Sequence, residues 1–564
     1  MRRTKISLAI AALAATSLSM AHADVGYRVT DIGSVDGVLH TVPRDLNNQG
    51  QIVGQLADLR NQNIRFELLD PEDFPFLGED VDMTDLTEEQ QLRVRNALIN
   101  GTQIGGNPKF QKIAVELGYL FQGGNLSEVA GFDSLDSETG LRTDSVDLRL
   151  RAINDQGIMV GQSALPFYWG EGTDLEGEEA RFHLRDGFPV AAWTDGVEFK
   201  LVGTDPDKIL GGVSGFTDIN NNNVAVGFGT FLNGVRLEQI YEQCTTEVDE
   251  DGEAINLEPL SACLYRFWYN NSSRVGVNAP ITEERAFVWE LSATGDVLDS
   301  RSFGVAFDPE EDEEDPWQTV RYVSMANAIN DNGIIVGSSV RQLVQGAFTR
   351  ATLFTDEGVV KGFADDSPYR DVSSFIDVNN ANIAVGSATV FAFGVQRQRM
   401  FYMDVSNGPG EAVFPNGLFV DTNWTPRAIN NHGQVVGAAT LRSVQGVQAR
   451  NVGFLYDINT DMTYDLNSFL PCNSGYNINE AVAINDNGEI VVTAVRNMEV
   501  SVDGEPVNVN RLRTLILTPD SSETGCQEQS DDQTSRKGAA FHPVWLAFLG
   551  FFSLIAIRRQ KSKR

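Results

Sequence analysis

One pattern recurs seven times in this 564-residue chain and restricts its fold more than any other feature. "RAINNHGQVVGAA" begins at Arg427. Its counterparts are "RDLNNQGQIVGQ" from Arg44, "RAINDQGIMVGQS" from Arg151, "TDINNNNVAVGFG" from Thr217, "NAINDNGIIVGSS" from Asn327, "IDVNNANIAVGSA" from Ile376 and "VAINDNGEIVVTA" from Val482. Each copy reads as a β-hairpin whose turn opens at Asn47, Asn154, Asn220, Asn330, Asn379, Asn430 or Asn485. The apolar residue before the asparagine ends one strand, and the turn closes on a residue that tolerates a positive φ. That residue is glycine in five copies and Asn223 or Asn382 in the third and fifth, asparagine being the next-best choice. A β-branched run follows and ends on Gly54, Gly161, Gly227, Gly337, Gly386 or Gly437, where a second backbone can come close or a bulge can form. The seventh copy has Val492 there, as a terminal unit can.

Between copies lie aromatic strands: "PFYW" (166–169), "YRFWY" (265–269), "RAFVW" (285–289), "ATLF" (351–354), "RMFYM" (399–403), "VGFLY" (452–456) and "TLILTP" (514–519). "MTYDLNSFL" (462–470) suits an outer strand. Three or four short strands per unit, with units about 50 residues apart, is the spacing of propeller blades. The expected fold is all-β, a seven-bladed propeller over residues 24–520, closed by "YRVTDIG" (27–33) pairing near 512–519. Copies two, four and six carry Ala-Ile-Asn, while three and five carry Asp-Ile/Val-Asn-Asn. That pairing leaves a β-solenoid, or another blade number, as the alternative.

The Ala-Ile-Asn-x-x-Gly-x-Val-Val-Gly copies, each followed by an aromatic strand, resemble the HAF-type extracellular repeats. With its leader and C-terminal apolar segment, the chain is similar to the exported bacterial family DUF3466 over roughly residues 25–520. The aromatic strand "RAFVW" has arginine where the repeat's name has histidine. The resemblance implies an exported β-repeat protein and no particular reaction.

The ends agree with export. Arg2, Arg3 and Lys5, the apolar run Ile6 to Met20 and Ala21-His22-Ala23 read as a signal peptide (1–23) cleaved after Ala23. A polar linker (521–539) leads to an apolar segment (540–557) and a basic tail (558–564). The apolar segment is long enough to span a bilayer with the tail on the cytoplasmic side. The order also resembles GlyGly-CTERM sorting signals, although Gly538-Ala539-Ala540 stands in place of Gly-Gly. A cleaved sorting signal and a lasting transmembrane anchor both fit. The expected location is the cell envelope or surface.

Between the ends, 35 Lys and Arg face 78 Asp and Glu, a net charge of −43. Such a surface repels nucleic acid and anionic lipid. Four cysteines in an oxidising compartment suggest two disulfides. Proximity favours Cys244–Cys263 and Cys472–Cys526, one of three connectivities.

Two insertions interrupt the repeats. Residues 62–125 include "TDLTEEQQLRVRNALING" (84–101), which reads as an amphipathic helix lying on the ring. Residues 232–282 hold Cys244, Cys263 and the acidic stretch "TEVDEDGEA". Insertions in repeat proteins often form the binding face.

Reactive centres are poorly represented. The exported body has three scattered histidines, His40, His183 and His432, without zinc-ligand spacing. There is no Gly-x-Ser-x-Gly elbow, "GGVSGF" (211–216) having the wrong spacing, and no phosphate loop. The sialidase Asp-box and the WD and kelch signatures are also missing. No catalytic or cofactor residue is assigned. Calcium at the Asn/Asp turns is the one cofactor left open. The expected function is non-catalytic binding or scaffolding, with an envelope protein or glycan as partner. The alternatives are a glycan-acting hydrolase or lyase with carboxylates converging on the central channel, and a calcium-stabilised surface module. An enzyme should gather two or three acidic groups and an aromatic wall in one pocket; a scaffold should line its channel with the repeat Val and Gly residues.

Overall fold

A computed structural model of the chain describes residues 26–523 and 525, apart from 79–80, 101–106, 130, 204–206, 247–257, 273–281, 309–319, 344–345, 393–394, 416–421, 442–449 and 503–504. The seven hairpins are the inner halves of seven antiparallel sheets arranged as a seven-bladed propeller. In blade 1 the strands are Val38–Leu46, Ile52–Leu59, Glu116–Gln122 and Asn125–Val129, from the axis outward. The inner strands of blades 2 to 7 are Leu148–Ile153, Ser214–Ile219, Arg321–Ile329, Ser373–Val378, Asn423–Ile429 and Tyr476–Ile484. Blade 5 has three strands and the others four. Blade 7 is composite: the N-terminal strand Tyr27–Asp31 pairs with Glu505–Pro519, joining Tyr27 to Pro519 and Asp31 to Leu515. That is the closure expected from the sequence, and it sets aside the solenoid.

The repeat residues have separable jobs. The last turn residue has φ between 60° and 83° in all seven copies, Asn223 and Asn382 included. The closing glycine sits against the inner strand. A Cβ on Gly161 would stand 2.0 Å from the Arg149 carbonyl oxygen, and one on Gly337 2.0 Å from that of Met325. Opposite each such glycine the inner strand shifts register by one residue, a β-bulge. In blade 7, where Val492 replaces the glycine, the inner strand has a second shift between Ile478 and Glu480. Trp193, Trp289 and Trp424 fill apolar layers of the stacked blades and are fully buried.

Four expectations need correction. "YRFWY" is no strand: it lies in helix Leu260–Ser272, which together with Val235–Thr245 forms the insertion of blade 3. The helix of blade 1 runs Glu88–Asn100, beginning one turn later than 84. There Thr87 and Gln90 cap each other, Gln90 N–H donating to Thr87 Oγ1 and Thr87 N–H to Gln90 Oε1. The insertion itself ends before Glu116, because Glu116–Gln122 is a blade strand. Blade 2 also carries an insertion, the hairpin Tyr168–Thr173 and Glu179–Leu184, so "PFYW" lies outside the blades.

All three insertions leave from the connection between the second and third strands, at the end of the ring away from the Asn turns. They interlock into a cap. Lys112 N–H donates to His183 Nδ1 at 2.8 Å, Lys109 Nζ meets Asp174 Oδ2 at 2.7 Å, and Ala262 packs on Phe182 and Leu184. Cys244–Cys263 bonds the two helices of the blade 3 insertion. Cys472 is also disulfide-bonded, while Cys526 lies outside the described residues. So do the leader, most of the linker, the 540–557 segment and most of the acidic stretch. Among the described residues no helix is long and apolar enough to cross a membrane.

Candidate functional site

The mouth of the channel is a crown of asparagine side chains. Each repeat asparagine is buried, and its Oδ1 accepts the N–H groups two and four residues on, as Asn154 does from Gln156 and Ile158. Its Nδ2 donates to the carbonyl of the equivalent asparagine in the next blade. These links are 2.8 to 3.2 Å long and run round the whole ring, the last from Asn485 to Asn47. A second circuit lies beside it: the N–H of the following residue donates to the side-chain oxygen of its counterpart, over 2.7 to 2.9 Å. Its members are Asn48, Asp155, Asn221, Asp331, Asn380, Asn431 and Asp486.

Beneath the crown, Asp45, Asp218 and Asp377 face a cavity of about 180 Å³. Each reaches the next blade, accepting the N–H of Ile153, Ile329 or Ile429 at 2.8 Å. Burial raises their carboxyls, Asp218 to about 8 and the other two to about 6. The charge of Asp377 adds to the rise at Asp218, and their backbone donors oppose it. The channel mouth is therefore lined by Asn, Asp and Ile, and the expected lining of repeat Val and Gly is not found. Val53, Val336 and Val436 are buried among the sheets, and the glycines abut the inner strands.

A second cavity, about 210 Å³, lies in the cap. Phe167, Tyr168 and Trp169 form one wall, while Leu135, Asp136 and Glu138 approach from the link between blades 1 and 2, with Arg65 and Arg181 between. Tyr168 is 45% exposed and Leu135 67%. The charges are matched. Arg65 pairs with Glu67, with Asp136 at 3.3 Å and with Glu138 at 3.1 Å, and Arg181 pairs with Glu138 and stacks over Trp169. Glu138 is held below its ordinary range by Arg181 and then Arg65. Burial would raise Asp136, but N–H and hydroxyl donors of Thr139, the N–H of Glu138 and the charge of Arg65 outweigh it. His183 stacks on Phe167, and burial, followed by the charge of Lys112, pushes it down to about 3.

The family model described as protein of unknown function (DUF3466) matches residues 4–560. The chain belongs to the DUF3466 family. No curated protein matches it. Among solved structures it is similar to a Trypanosoma rangeli sialidase in complex with sialic acid, at 11% identity and a TM-score of 0.29, covering 71% of this chain and 56% of that one. It is also similar to a Pyrococcus horikoshii acylaminoacyl peptidase (10%, 0.34, covering 84% and 52%). A Mycobacterium tuberculosis puromycin-hydrolyzing peptidase gives 9% and 0.34, covering 84% and 58%. The chain spans just over half the length of each of these proteins.

In this DUF3466 chain the seven asparagines stand in one ring, but their link to the next blade is not apparent in any single copy. The histidines are scattered and serve the fold: His40 Nδ1 accepts from Leu512 N–H, His183 from Lys112 N–H, and His432 Nε2 lies 3.1 Å from the Asp486 carbonyl. Among the described residues no three His, Cys, Asp or Glu side chains are grouped to hold a metal ion. The pocket escaped the sequence reading because Arg65, Asp136 and Tyr168 come from three separate segments. The signals were the aromatic "PFYW" (166–169), read as a blade strand, and the 66-residue gap between Asn154 and Asn220, too long for one plain blade.

Proposed function

We propose that this DUF3466 protein is an exported, non-catalytic binding protein of the cell envelope or surface. The ring is its rigid frame, and the cap pocket is its binding site. One observation carries the reading: the pocket places an exposed aromatic face, Tyr168, beside guanidinium and carboxylate groups already paired with one another. Apolar walls with a few fixed polar groups are the usual make-up of small-ligand sites. A sugar ring suits this one, its C–H face on Tyr168 and its hydroxyls toward Glu138, Glu171 and Arg181. The pocket also meets the criterion set for an enzyme, since Asp136, Glu138 and Glu171 lie along the aromatic wall. Against hydrolysis, Asp136 and Glu138 are lowered and so hold no proton near neutral pH, and His183 at about 3 is neutral with Nδ1 occupied.

A glycan array probed with residues 24–535, wild type beside Tyr168→Ala, tests this. Selective binding that the substitution abolishes is expected. Turnover of any bound glycan, or equal binding by the variant, overturns the reading.

A further inference from the structure

The bulges of the inner strands fall three residues before the turn asparagine in all seven blades. A bulge takes one residue out of the ladder and re-aims its side chain. Those residues are Arg44, Arg151, Thr217, Asn327, Ile376, Arg427 and Val482, and on the innermost strands they form a layer around the axis, one step beyond the crown. The layer is lopsided. Arginine stands in blades 6, 1 and 2, with Val482 of blade 7 inside the same arc, while blades 3, 4 and 5 contribute neutral side chains.

The arginines converge. Arg44 feels the charges of Glu116 and Glu480 and, after them, that of Arg427, two blades away; Arg151 feels those of Arg44 and Arg149 and then that of Glu116. Among the described residues two carboxylates pair with these four guanidiniums: Glu116 lies 3.1 Å from Arg149, and Glu480 pairs with Arg427. Arg44 donates to Gln55, and among the described residues no carboxylate lies within ion-pair distance of Arg151. Arg151 and Arg427 are exposed, and the Arg149 side chain keeps 40% of its surface. The neutral members of the layer do structural work: Thr217 Oγ1 donates to the Ala326 carbonyl and Asn327 Nδ2 to that of Phe375, both at 2.6 Å and both in the next blade. Arg151 and Arg427 make no such backbone link among the described residues. A water-reached, under-compensated group of guanidiniums in a body of net charge −43 is not what solubility or blade stacking asks for.

We infer that the arc formed by Arg44, Arg151 and Arg427 is a binding site for a small ligand bearing a phosphate or carboxylate group. Guanidinium forks take such oxyanions in paired hydrogen bonds, and Arg151 has its donors to spare. The site is separate from the cap pocket and does not depend on it.

Calorimetric titration of residues 24–535 with inorganic phosphate, and separately with galacturonate, at fixed ionic strength set by chloride, tests the assignment. One of the two is expected to bind saturably, which also tells phosphate from carboxylate. Arg151→Gln, which breaks no ion pair, should weaken that binding about tenfold or more, the worth of a charge-assisted hydrogen bond. Val482→Glu, placing a carboxylate within the arc, should abolish it, while Tyr168→Ala leaves it unchanged. Absence of saturable binding by either probe, or an undiminished affinity in Arg151→Gln, overturns the inference.

Discussion

The ring and its cap solve the same problem in different ways. In the ring, one asparagine per blade closes its own turn and also binds the neighbouring turn, so equal contacts are made seven times. The cap has no repeated contact. Its three insertions carry small separate apolar clusters, joined by individual links such as Lys109–Asp174, Lys112–His183 and Cys244–Cys263. Periodic contacts tie the frame to one geometry, while the irregular part is free to take on a pocket. The difference teaches that the frame and the cap cavity are held here by different residues and should fail separately.

The largest effect should come from the crown. Asn220→Ala strands the N–H groups of Asn222 and Val224 and leaves the Asn330 carbonyl with the Gly333 N–H alone. Each buried unpaired group costs about 1–3 kcal/mol, so a loss on the order of 4 kcal/mol is expected in denaturant unfolding. A loss under about 1 kcal/mol would mean that the crown does not hold the ring. Next, replacing Cys244 and Cys263 together by serine, which leaves the Cys472 disulfide intact, should release a constraint of about 3 kcal/mol, confined to the cap. Limited proteolysis should then cut within 235–272 while the main unfolding transition stays put; a shifted main transition would merge cap and ring into one unit.

A smaller effect concerns pH. Asp218 is raised in the folded state, so the fold keeps a proton that the unfolded chain gives up. The stability this confers is whole below the ordinary carboxyl value and is lost as pH rises toward about 8. The melting temperature should therefore climb on going from about pH 8 to about pH 5, and Asp218→Asn should flatten that climb; an unchanged slope would refute it. Smallest of all, Tyr168→Ala should move the main transition by under about 1 kcal/mol, as surface changes do. A larger shift would mean that the pocket wall also supports the ring.

The frame was legible because its signals are local. A positive-φ position, a glycine that must lie against a backbone and a β-branched run each leave a mark within a dozen residues, seven times over. The partner of each asparagine amide is 49 to 110 residues away except at the closure, so no single copy displays it. "YRFWY" misled because a strand's aromatic content also suits a helix that buries one side, with Cys263 and Leu264 inward. Local pattern could not separate the two. The pocket was illegible for the reason already apparent in the cap: its walls come from segments that share no spacing.

The carboxylate that reaches to the next blade stands in blades 1, 3 and 5, and Ala152, Ala328, Ala428 and Ala483 stand in blades 2, 4, 6 and 7. A two-step alternation cannot close on an odd number. It must stumble once, and it does so where two alanines meet, between the sixth sheet and the one completed by the N-terminal strand. The carboxylate links close joints one to two, three to four and five to six; the seventh sheet is therefore a natural seam, the one sheet with an unlatched joint on both sides, and parity alone decides that such a sheet exists.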